Sequence, residues 1–364
     1  DATGGSLYFI GQAVPEELEG ADAAASLAEP EISQFRWPEL TGSASLQNGD
    51  WQLDSLLRFT QEDPESSAVI QGTATANVGL AADRSLSGNL QLNFDDIAWA
   101  AALAPQISDV SGQLTGRMNL QGSMEAPVLV GDLNLTDASV AVPILGIQVA
   151  AIDATLSSRD NSLVELNGYA ESGAGSLNFG GQLSNPFDER REFSLQVAGS
   201  NFTVADLPDI QAAISPDIRL QGNIEGIELS GQLFIPRVDA RINTLPESAV
   251  DVSSDTIIIN QPASGEPVRN AAIADTGLLG NTPVSGEITI TLGDDVRISG
   301  FGLNAQVSGE LDITQRPNAT PLTYGELEVV QGSFETYGRV LTIEQGKLLF
   351  MGSYDNPAID IRAV

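Results

Sequence analysis

Three pairs of adjacent carboxylates are the residues of this sequence best suited to acid–base chemistry: Asp95–Asp96, Asp188–Glu189 and Asp294–Asp295. Two carboxylates can act as general acid and general base in glycoside hydrolysis when a cleft with aromatic platforms holds the sugar between them. Neighbouring residues of a strand point to opposite faces, and all three pairs fall in predicted turns or at a helix start. We interpret them as solvated residues, so the sequence predicts no catalytic residue and no enzyme activity.

The residue types that usually hold metals or cofactors are missing or lack the required spacing. The sequence contains no histidine and no cysteine, which excludes disulfides, thiol chemistry and the usual zinc sites. Its 49 Asp and Glu residues show neither the Asp-x-Asp-x-Asp-Gly spacing nor the Gly-Gly-x-Gly-x-Asp repeat of calcium sites. We expect no metal and no cofactor.

The charge balance limits the partners of this chain. A formal charge of -33 would repel a nucleic-acid backbone, so we expect no nucleic-acid binding. It would also repel an anionic membrane surface, so any lipid must be bound through apolar contact. No run of 18 apolar residues occurs, and the sequence therefore predicts no membrane-spanning helix. The acid-rich composition, with a single lysine, is equally typical of a salt-adapted organism.

The strongest pattern in the sequence is the alternation of apolar and polar residues. Over Val110–Gln121 every even position is apolar or glycine and every odd position is polar. Successive side chains of a strand point to opposite faces, so the segment predicts a strand in a sheet that is wet on one face. The same alternation recurs at Leu86–Phe94, Leu129–Leu135, Leu177–Leu183, Phe193–Val197, Leu229–Ile235, Ile288–Leu292, Val307–Ile313 and Leu348–Phe350.

The elements that carry these side chains are predicted to be almost all strands. At a mean strand length of about 5–6 residues the chain would hold roughly 25 antiparallel strands. A helix of two or three turns is expected after Asp95–Asp96 and before Pro105, and one further helical turn before Pro216. Residues 13–31 and 260–283 are expected to be loops.

The predicted apolar face poses a physical problem, because apolar patches beyond a few hundred Å² are rarely left in water. The sheet must curl, either into a closed barrel or sandwich with a packed core, or halfway into an open gutter. Glycines alternate with leucines on the apolar face, large aromatics are scarce and turns recur at regular spacing, which favours the gutter. A stack of sandwiches would show much of the same pattern, so both forms stay open here.

The C-terminal residues add a resemblance. LGDDVRISGFGL (Leu292–Leu303), GELEVVQGSFETYGRVLTIEQGKLLF (Gly325–Phe350) and DNPAIDIRA (Asp355–Ala363) together resemble the C-terminal domain of the TamB family, a translocation and assembly module. The likeness extends upstream to about residue 70. It implies an all-β fold: an elongated, curled antiparallel sheet, or β-taco, that forms an open groove with an apolar interior and one or two short helices.

The same resemblance implies a function and a location. Such proteins bridge the periplasm of diderm bacteria, are anchored in the inner membrane and shelter phospholipid acyl chains between the two membranes. They partner an outer-membrane barrel of the Omp85 type, TamA-like, in outer-membrane biogenesis. We predict residues 1–70 as a poorly matched start of the groove, 71–259 as β-taco repeats, 260–283 as a loop and 284–364 as the motif region.

The apolar face itself is the candidate site. Its side chains are either an ordinary core or the lining of a groove in which acyl methylenes replace water, and the resemblance favours the groove. The alternative from another class is a scaffold that pairs strand edges with outer-membrane proteins or the barrel. The predicted lining residues are Leu114, Met118, Leu120, Leu133, Leu135, Leu233, Ile235, Ile290, Leu292, Leu348 and Phe350.

The ends of the chain are also compared with the family. Members begin with a membrane-spanning helix, which this sequence lacks, and continue past the motif at Asp355–Ala363. We therefore expect a piece truncated at its end, in which contact with the barrel depends on missing residues. Ile359 and Ile361 should extend the apolar face by one strand, at an end that is frayed or exposed.

Overall fold

The computed structural model describes residues 39–47, 50–62, 69–104, 106–160, 162–188, 191–242, 283–317, 319–336 and 338–364. These residues divide into two units, 1–195 and 196–364. The predicted all-β fold class is confirmed. The described residues form an open, curled, mainly antiparallel sheet of 18 strands, together with two short 3-10 helices. The predicted loops at 13–31 and 260–282 lie outside the described residues, and the domain boundaries stay a prediction.

In the N-terminal unit each strand pairs antiparallel with the next. One 3-10 helix, Ala98–Leu103, connects β4 to β5, and another, Pro143–Leu145, connects β6 to β7. The strands are β1 Glu39–Gln47, β2 Asp50–Glu62, β3 Val69–Leu80, β4 Leu86–Phe94, β5 Ser108–Gly122, β6 Pro127–Val142, β7 Ile147–Ser158, β8 Leu163–Ser172 and β9 Gly175–Ser184, followed by β10 Glu192–Ser200 across the unit boundary.

The C-terminal unit differs in one pairing: β13 and β14 run parallel, whereas the other consecutive pairs from β11 onward are antiparallel. A parallel pair needs a connection that crosses back along the sheet. The strands are β11 Phe202–Asp206, β12 Ile210–Asn223, β13 Ile227–Arg241, β14 Val284–Gly300, β15 Leu303–Gln315, β16 Leu322–Thr336, β17 Arg339–Ser353 and β18 Ala358–Ala363.

The strands of the described residues are longer than predicted. Against an expected 25 or so, the described residues hold 18, and β14 alone runs for 17 residues. The estimate assumed strands of about 5–6 residues, the average for globular proteins. Alternation in this chain continues without turn residues for much longer, because glycine and small bulges let one strand bend in place of ending.

The helix predictions were partly right. The segment after Asp95–Asp96 is helical, with the Asp96 carboxylate accepting the N–H of Ala98 at 2.9 Å, but it is a six-residue 3-10 helix. The turn predicted before Pro216 is wrong, because that segment is the hairpin of β11 and β12. Ala212 and Ala213 pair with β11 on one side and β13 on the other, and pairing on both edges outweighs the helical preference of alanine.

The turns at one end of the strands are closed by their own polar side chains. The Asp83 carboxylate accepts the N–H of Ser85 at 3.0 Å and its hydroxyl at 2.7 Å, and Asp160 does the same for Ser162. In each case the serine hydrogen bonds hold the pKa of the aspartate below its ordinary value. In the C-terminal unit Asn223 closes the β12–β13 turn by accepting the N–H of Glu225 at 2.8 Å. We call this end the polar margin of each unit.

The β14–β15 turn, on the opposite end of the strands, has an unusual residue. Gly300 pairs with Leu303, so Phe301 and Gly302 form a two-residue turn with φ of 50° and 88°. Hairpin turns with two positive φ angles prefer Asn-Gly, because a bulky side chain in the left-handed region costs roughly 1–2 kcal/mol. The phenyl ring of Phe301 is nevertheless 55% exposed, so burial does not offset that strain.

The C-terminal strand was predicted to be frayed or exposed. It is not frayed, because it is paired to its last residue, but two of its apolar side chains are exposed. Leu348 lies opposite Ile359, and Thr342 and Val364 exchange two backbone hydrogen bonds of 2.7 and 2.9 Å. Backbone hydrogen bonds to β17 hold this strand even though Ile359 and Ile361 are both exposed.

Lys347, the single lysine of the sequence, joins three strands through charge. It lies on β17 opposite Glu328 of β16 and Asp360 of β18, and its ammonium forms an ion pair with Glu326. The hydrogen bond that the Lys347 ammonium donates to Glu326, helped by the charges of Glu326, Glu328 and Asp360, raises the pKa of Lys347. A raised pKa means that the stabilisation is complete below the ordinary value of about 10.4 and is lost as the pH rises through the raised value.

Replacing Lys347 with methionine should therefore remove a pH dependence as well as some stability. We expect the wild-type melting temperature to fall more than that of Lys347→Met between about pH 10 and pH 12, because only the wild type loses the ion pair there. Lys347→Arg is the control, since its guanidinium stays charged and should keep the neutral-pH stability without the alkaline loss. Parallel alkaline slopes for the wild type and both variants would contradict this.

Candidate functional site: the apolar face of each unit

The predicted lining residues of the N-terminal unit all lie on one face of the sheet. In register, Leu114 faces Leu135, Leu133 faces Gly116, Met118 faces Gly131 and Leu120 faces Leu129. Residues opposite each other in a sheet project to the same side. The five predicted residues of β5 and β6 are therefore brought together in one patch.

The same patch continues over neighbouring strands that the site prediction did not include. One cross-strand row runs through seven strands, β3 to β9, and six strand spacings give it a length of about 29 Å. Its members are Ala74, Leu92, Gly116, Leu133, Leu156, Leu166 and Gly181. Alternation alone could have identified these residues, but their order in the row requires the strand register.

The predicted residues of the C-terminal unit form a second apolar patch. Leu233 faces Ile290, and Ile235 faces Leu292, across the parallel pair β13–β14. From β14 the first row continues through Leu311 and Gly325 to Phe350, and the second through Gly309 and Leu327 to Leu348 and Ile359. All six predicted residues of this unit thus share one face, and Leu311 and Leu327 complete it.

Glycines and large side chains are paired across strands on this face. A Cβ added to Gly168 would overlap the ring of Phe179, and a Cβ added to Gly72 would overlap the ring of Phe94. Each large side chain therefore lies flat over a neighbouring glycine. This arrangement keeps the apolar layer thin and lets the sheet bend towards it.

The apolar face is shielded from water without being a packed core. Met118 is buried, at 4% exposure, but the other ten predicted lining residues are only half-buried. No large side chain of the described residues is completely removed from solvent. Dense packing is limited to small clusters such as Val296, Ala305 and Val307, whereas a folded core normally buries its large aliphatic side chains completely.

A cavity of about 600 Å³ lies near the start of β2 and the end of β3, and its lining is mainly polar. Leu120 lines it together with Trp51, Val78 and Leu80, and the indole of Trp51 is 54% exposed. Asn77, Asn89 and Asn119 border the same space. Strand register puts these three asparagines in one row on the polar face, so this cavity is not part of the apolar face.

The opposite face of the sheet is polar and internally hydrogen-bonded. Asn134 donates to Asp132 at 2.9 Å and accepts from Thr155 at 3.0 Å, and Thr289 donates to Asp312 at 2.7 Å. The carboxylates of Asp132 and Asp312 therefore lie on the face of the sheet that is in contact with water. One face of the sheet thus carries apolar side chains, and the other carries the polar and charged ones.

The acidic pairs Asp95–Asp96 and Asp294–Asp295 do not form a catalytic cleft within the described residues. Asp295 forms ion pairs with Arg297 at 2.8 Å and Arg237 at 3.6 Å, and Asp96 accepts the N–H of Ala98. Glu189 lies outside the described residues. Among the residues described, no group of acidic side chains has a geometry that could hold a metal ion. Likewise, none of their helices has the length and apolarity needed to cross a membrane.

Comparison with known proteins gives matches to two family models and to curated relatives. The family model described as the TamB C-terminal domain matches residues 166–364, and that of the TamB N-terminal domain matches residues 18–135. The translocation and assembly module subunit TamB of Haemophilus influenzae is 26% identical over 330 residues, which is 90% of this chain and 25% of that protein. The chain thus spans about a quarter of the length of this relative.

Proposed function

Because this chain belongs to the TamB family, we propose that its apolar faces line a groove that shelters phospholipid acyl chains on their way between the inner and outer membranes. In this role the chain is a periplasmic, non-catalytic part of a longer subunit of a translocation and assembly module in a diderm bacterium. The longer protein carries the inner-membrane anchor and meets an Omp85-type barrel of the TamA kind.

The observation that carries the proposal is the size and half-burial of the apolar face. Five strands from β13 to β17 contribute the row Leu233, Ile290, Leu311, Gly325 and Phe350, which spans about 19 Å. One acyl chain spans about 15 Å, half of the hydrocarbon core of a bilayer. A row of this length and apolarity can therefore cover a whole acyl chain.

The energetics fit a conduit. Each methylene removed from water contributes about 0.8 kcal/mol, and aliphatic side chains offer nearly the same contact at every step along the face. The buried polar group Ser158 interrupts the face, but its hydroxyl donates to the carbonyl of Leu129 at 2.6 Å. An acyl chain thus meets little that would hold it at one position, and its headgroup can remain in water.

A second function is favoured by a separate feature, the edge of β18. This strand pairs with β17 along one edge, and no other described strand pairs with it. An unpaired edge can add a strand from an outer-membrane protein or from the barrel. This scaffold function is compatible with the groove, and the two depend on different residues.

The proposal predicts that phospholipid contacts alternate along β5. A photoreactive amino acid placed at Leu114 or Leu120, on the apolar face, should crosslink phospholipid in cells, because acyl chains lie against that face. The same amino acid at Gln113 or Asn119, one residue away on the polar face, should not. Crosslinked lipid is detected by mass spectrometry of the purified chain.

The adjacent positions control for expression and for general hydrophobicity of the probe. Equal crosslinking at all four positions would indicate non-specific contact and would contradict the groove. Protein crosslinks at β18 together with no lipid on either face of β5 would support the scaffold function in its place.

A further inference from the structure

The C-terminal unit has exposed apolar side chains along one edge, at the strand ends opposite its polar margin. Five strand ends or turns between β12 and β17 each carry one, with exposures from 37% to 66%. Six adjacent strands give this edge a length of about 24 Å. We call it the apolar margin, and its residues are Ile210, Ile242, Phe301, Phe334 and Val340.

Strand register places these residues side by side. Ile210 is in register with Ala240 of β13, and the N–H of Ile242 donates to the carbonyl of Ser299 on β14 at 2.7 Å. Phe334 faces Leu303, the residue after the Phe301–Gly302 turn, and projects to the apolar face. Val340 faces Glu335, the next residue of β16, and therefore projects to the polar side of the same edge. The apolar margin is therefore a continuous edge.

The apolar margin continues the apolar face. Ala240, the partner of Ile210, faces Ile298, and Ile298 faces the buried Ala305. Phe334 reaches the same face through Leu303, which packs against the cluster of Val296, Ala305 and Val307. An acyl chain on this face could move outward to the margin while staying in apolar contact.

The polar margin of the same unit is built differently. Its turns contain Asn223, Glu225, Arg316, Asp355 and Asn356, and the Asn223 side chain closes its turn with hydrogen bonds to the next backbone N–H groups. Four large side chains, Ile224, Tyr324, Met351 and Tyr354, are exposed at this end of the strands. Tyr324 and Met351 are paired in one row with Asp312 and project with it to the polar face. The two margins of one unit thus differ in chemistry, and only one extends the apolar face.

Phe301 supplies an independent indication. It holds a bulky side chain at φ 50°, in a turn for which asparagine would be less strained, and it leaves that side chain exposed. Local backbone strain that burial does not offset is typical of functional positions. Here the strained residue presents an aromatic ring at the apex of the apolar margin.

We propose that the apolar margin is the portal at which acyl chains pass between the groove and a lipid bilayer. The proposal rests on the groove function and adds the place of exchange. Aromatic and aliphatic side chains at an edge partition into the interface of a bilayer, where acyl chains become accessible. The charge of -33 disfavours anionic lipid, so the partner is a zwitterionic phospholipid surface.

The test compares two single substitutions in the 364-residue chain, Phe301→Asn on the apolar margin and Ile224→Asn on the polar margin. Phe301→Asn creates the Asn-Gly turn that this conformation prefers, so folding should be retained or improved. Each variant replaces one exposed apolar side chain in a turn. Two quantities are measured: transfer of fluorescent phospholipid between phosphatidylcholine vesicles, and phospholipid bound per chain by native mass spectrometry.

We expect Phe301→Asn to slow transfer by about tenfold or more, the factor that corresponds to one large apolar side chain no longer entering the bilayer. Bound phospholipid should be unchanged, and Ile224→Asn should behave as the wild type. Adding Ile210→Thr, at a position that also lies on the apolar margin and shares the apolar face, to Phe301→Asn should slow transfer further. This combination of slow exchange and normal occupancy identifies a portal.

The other outcomes separate the portal from the groove. Wild-type transfer by Phe301→Asn, with lipid still bound, would overturn the portal and leave the groove intact. If that variant then failed to bind the outer-membrane barrel, the margin would be a protein-docking site. Loss of bound lipid in Phe301→Asn would make the margin part of the storage surface, against the proposal. A wild-type chain that neither binds nor transfers lipid would refute the groove, and the portal with it.

Discussion

Replacing Gly325 with alanine is expected to lower the free energy of unfolding of the chain by about 3 kcal/mol or more. Gly325 lies in the middle of the C-terminal apolar row, between Leu311 of β15 and Phe350 of β17. Its φ is 132°, and an added Cβ would overlap the carbonyl oxygen of Glu310 and lie 3.1 Å from Cα of Leu311. Backbone atoms cannot move aside without breaking the β15–β16 ladder, so the substitution adds a steric clash to an unfavourable backbone conformation.

Gly352 provides a matched control for this prediction. Its φ is 138°, close to that of Gly325, but an added Cβ would meet nothing within 4 Å. Gly352→Ala therefore reports the cost of the backbone conformation alone, and the difference between the two variants reports the close approach of strands. Urea unfolding followed by circular dichroism measures both. Equal losses would show that strand proximity at Gly325 is unimportant.

Leu135→Asp is expected to lower the amount of bound phospholipid to below about a tenth of the wild-type amount. An acyl chain lying against Asp at this position would remove water from an unpaired carboxylate, which costs several kcal/mol. Because Leu135 is half-buried and packs against the cluster of Phe94, Ile97 and Ala138, some stability should also be lost, so a folded fraction close to that of the wild type is confirmed first by circular dichroism. Lipid extracted from the purified chain is quantified by mass spectrometry.

The neighbouring substitution Thr136→Asp introduces the same charge on the exposed polar face and should leave bound lipid unchanged. A third variant, Leu135→Trp, keeps the face apolar but fills space. In a packed core such overpacking costs about 1–3 kcal/mol, whereas in an open groove the indole should be tolerated and should displace lipid. Strong destabilisation by Leu135→Trp would therefore identify a core and contradict the groove.

The sequence was sufficient to predict the fold class and the apolar face of the strands in which alternation was recognised. Alternation at Val110–Gln121 assigned Leu114, Met118 and Leu120 to one face, and the structure places all three there. Period-two patterns are reliable for such assignments because a strand has only two faces. Whether these residues bind acyl chains stays a prediction.

Other features depend on contacts between distant residues and could not be predicted. The parallel pairing of β13 with β14 is one such feature. The alternation of apolar and polar residues is the same in parallel and antiparallel strands, so it does not reveal the direction of a neighbour. The seating of Phe179 over Gly168 is another, since it follows from register. The helical turn expected before Pro216 failed for the same reason: strand pairing on both edges decided the structure of Ala212 and Ala213.

The parallel pair also has a consequence for the order in which the C-terminal unit assembles. Antiparallel neighbours such as β14 and β15 can pair progressively from a two-residue turn. Pairing of β13 with β14 instead brings together Ile227 and Val284, which are far apart in the sequence. Closing the loop of about 57 residues between Ile227 and Val284, in place of one of about four, costs roughly 2.4 kcal/mol more in chain entropy, which corresponds to a slowing of about fiftyfold. The strands from β14 onward can therefore form a nucleus of their own, and joining it to β13 is the slow step. Until that step is complete, the facing edges of β13 and β14 have unpaired backbone groups, and the folding chain can pair incorrectly there.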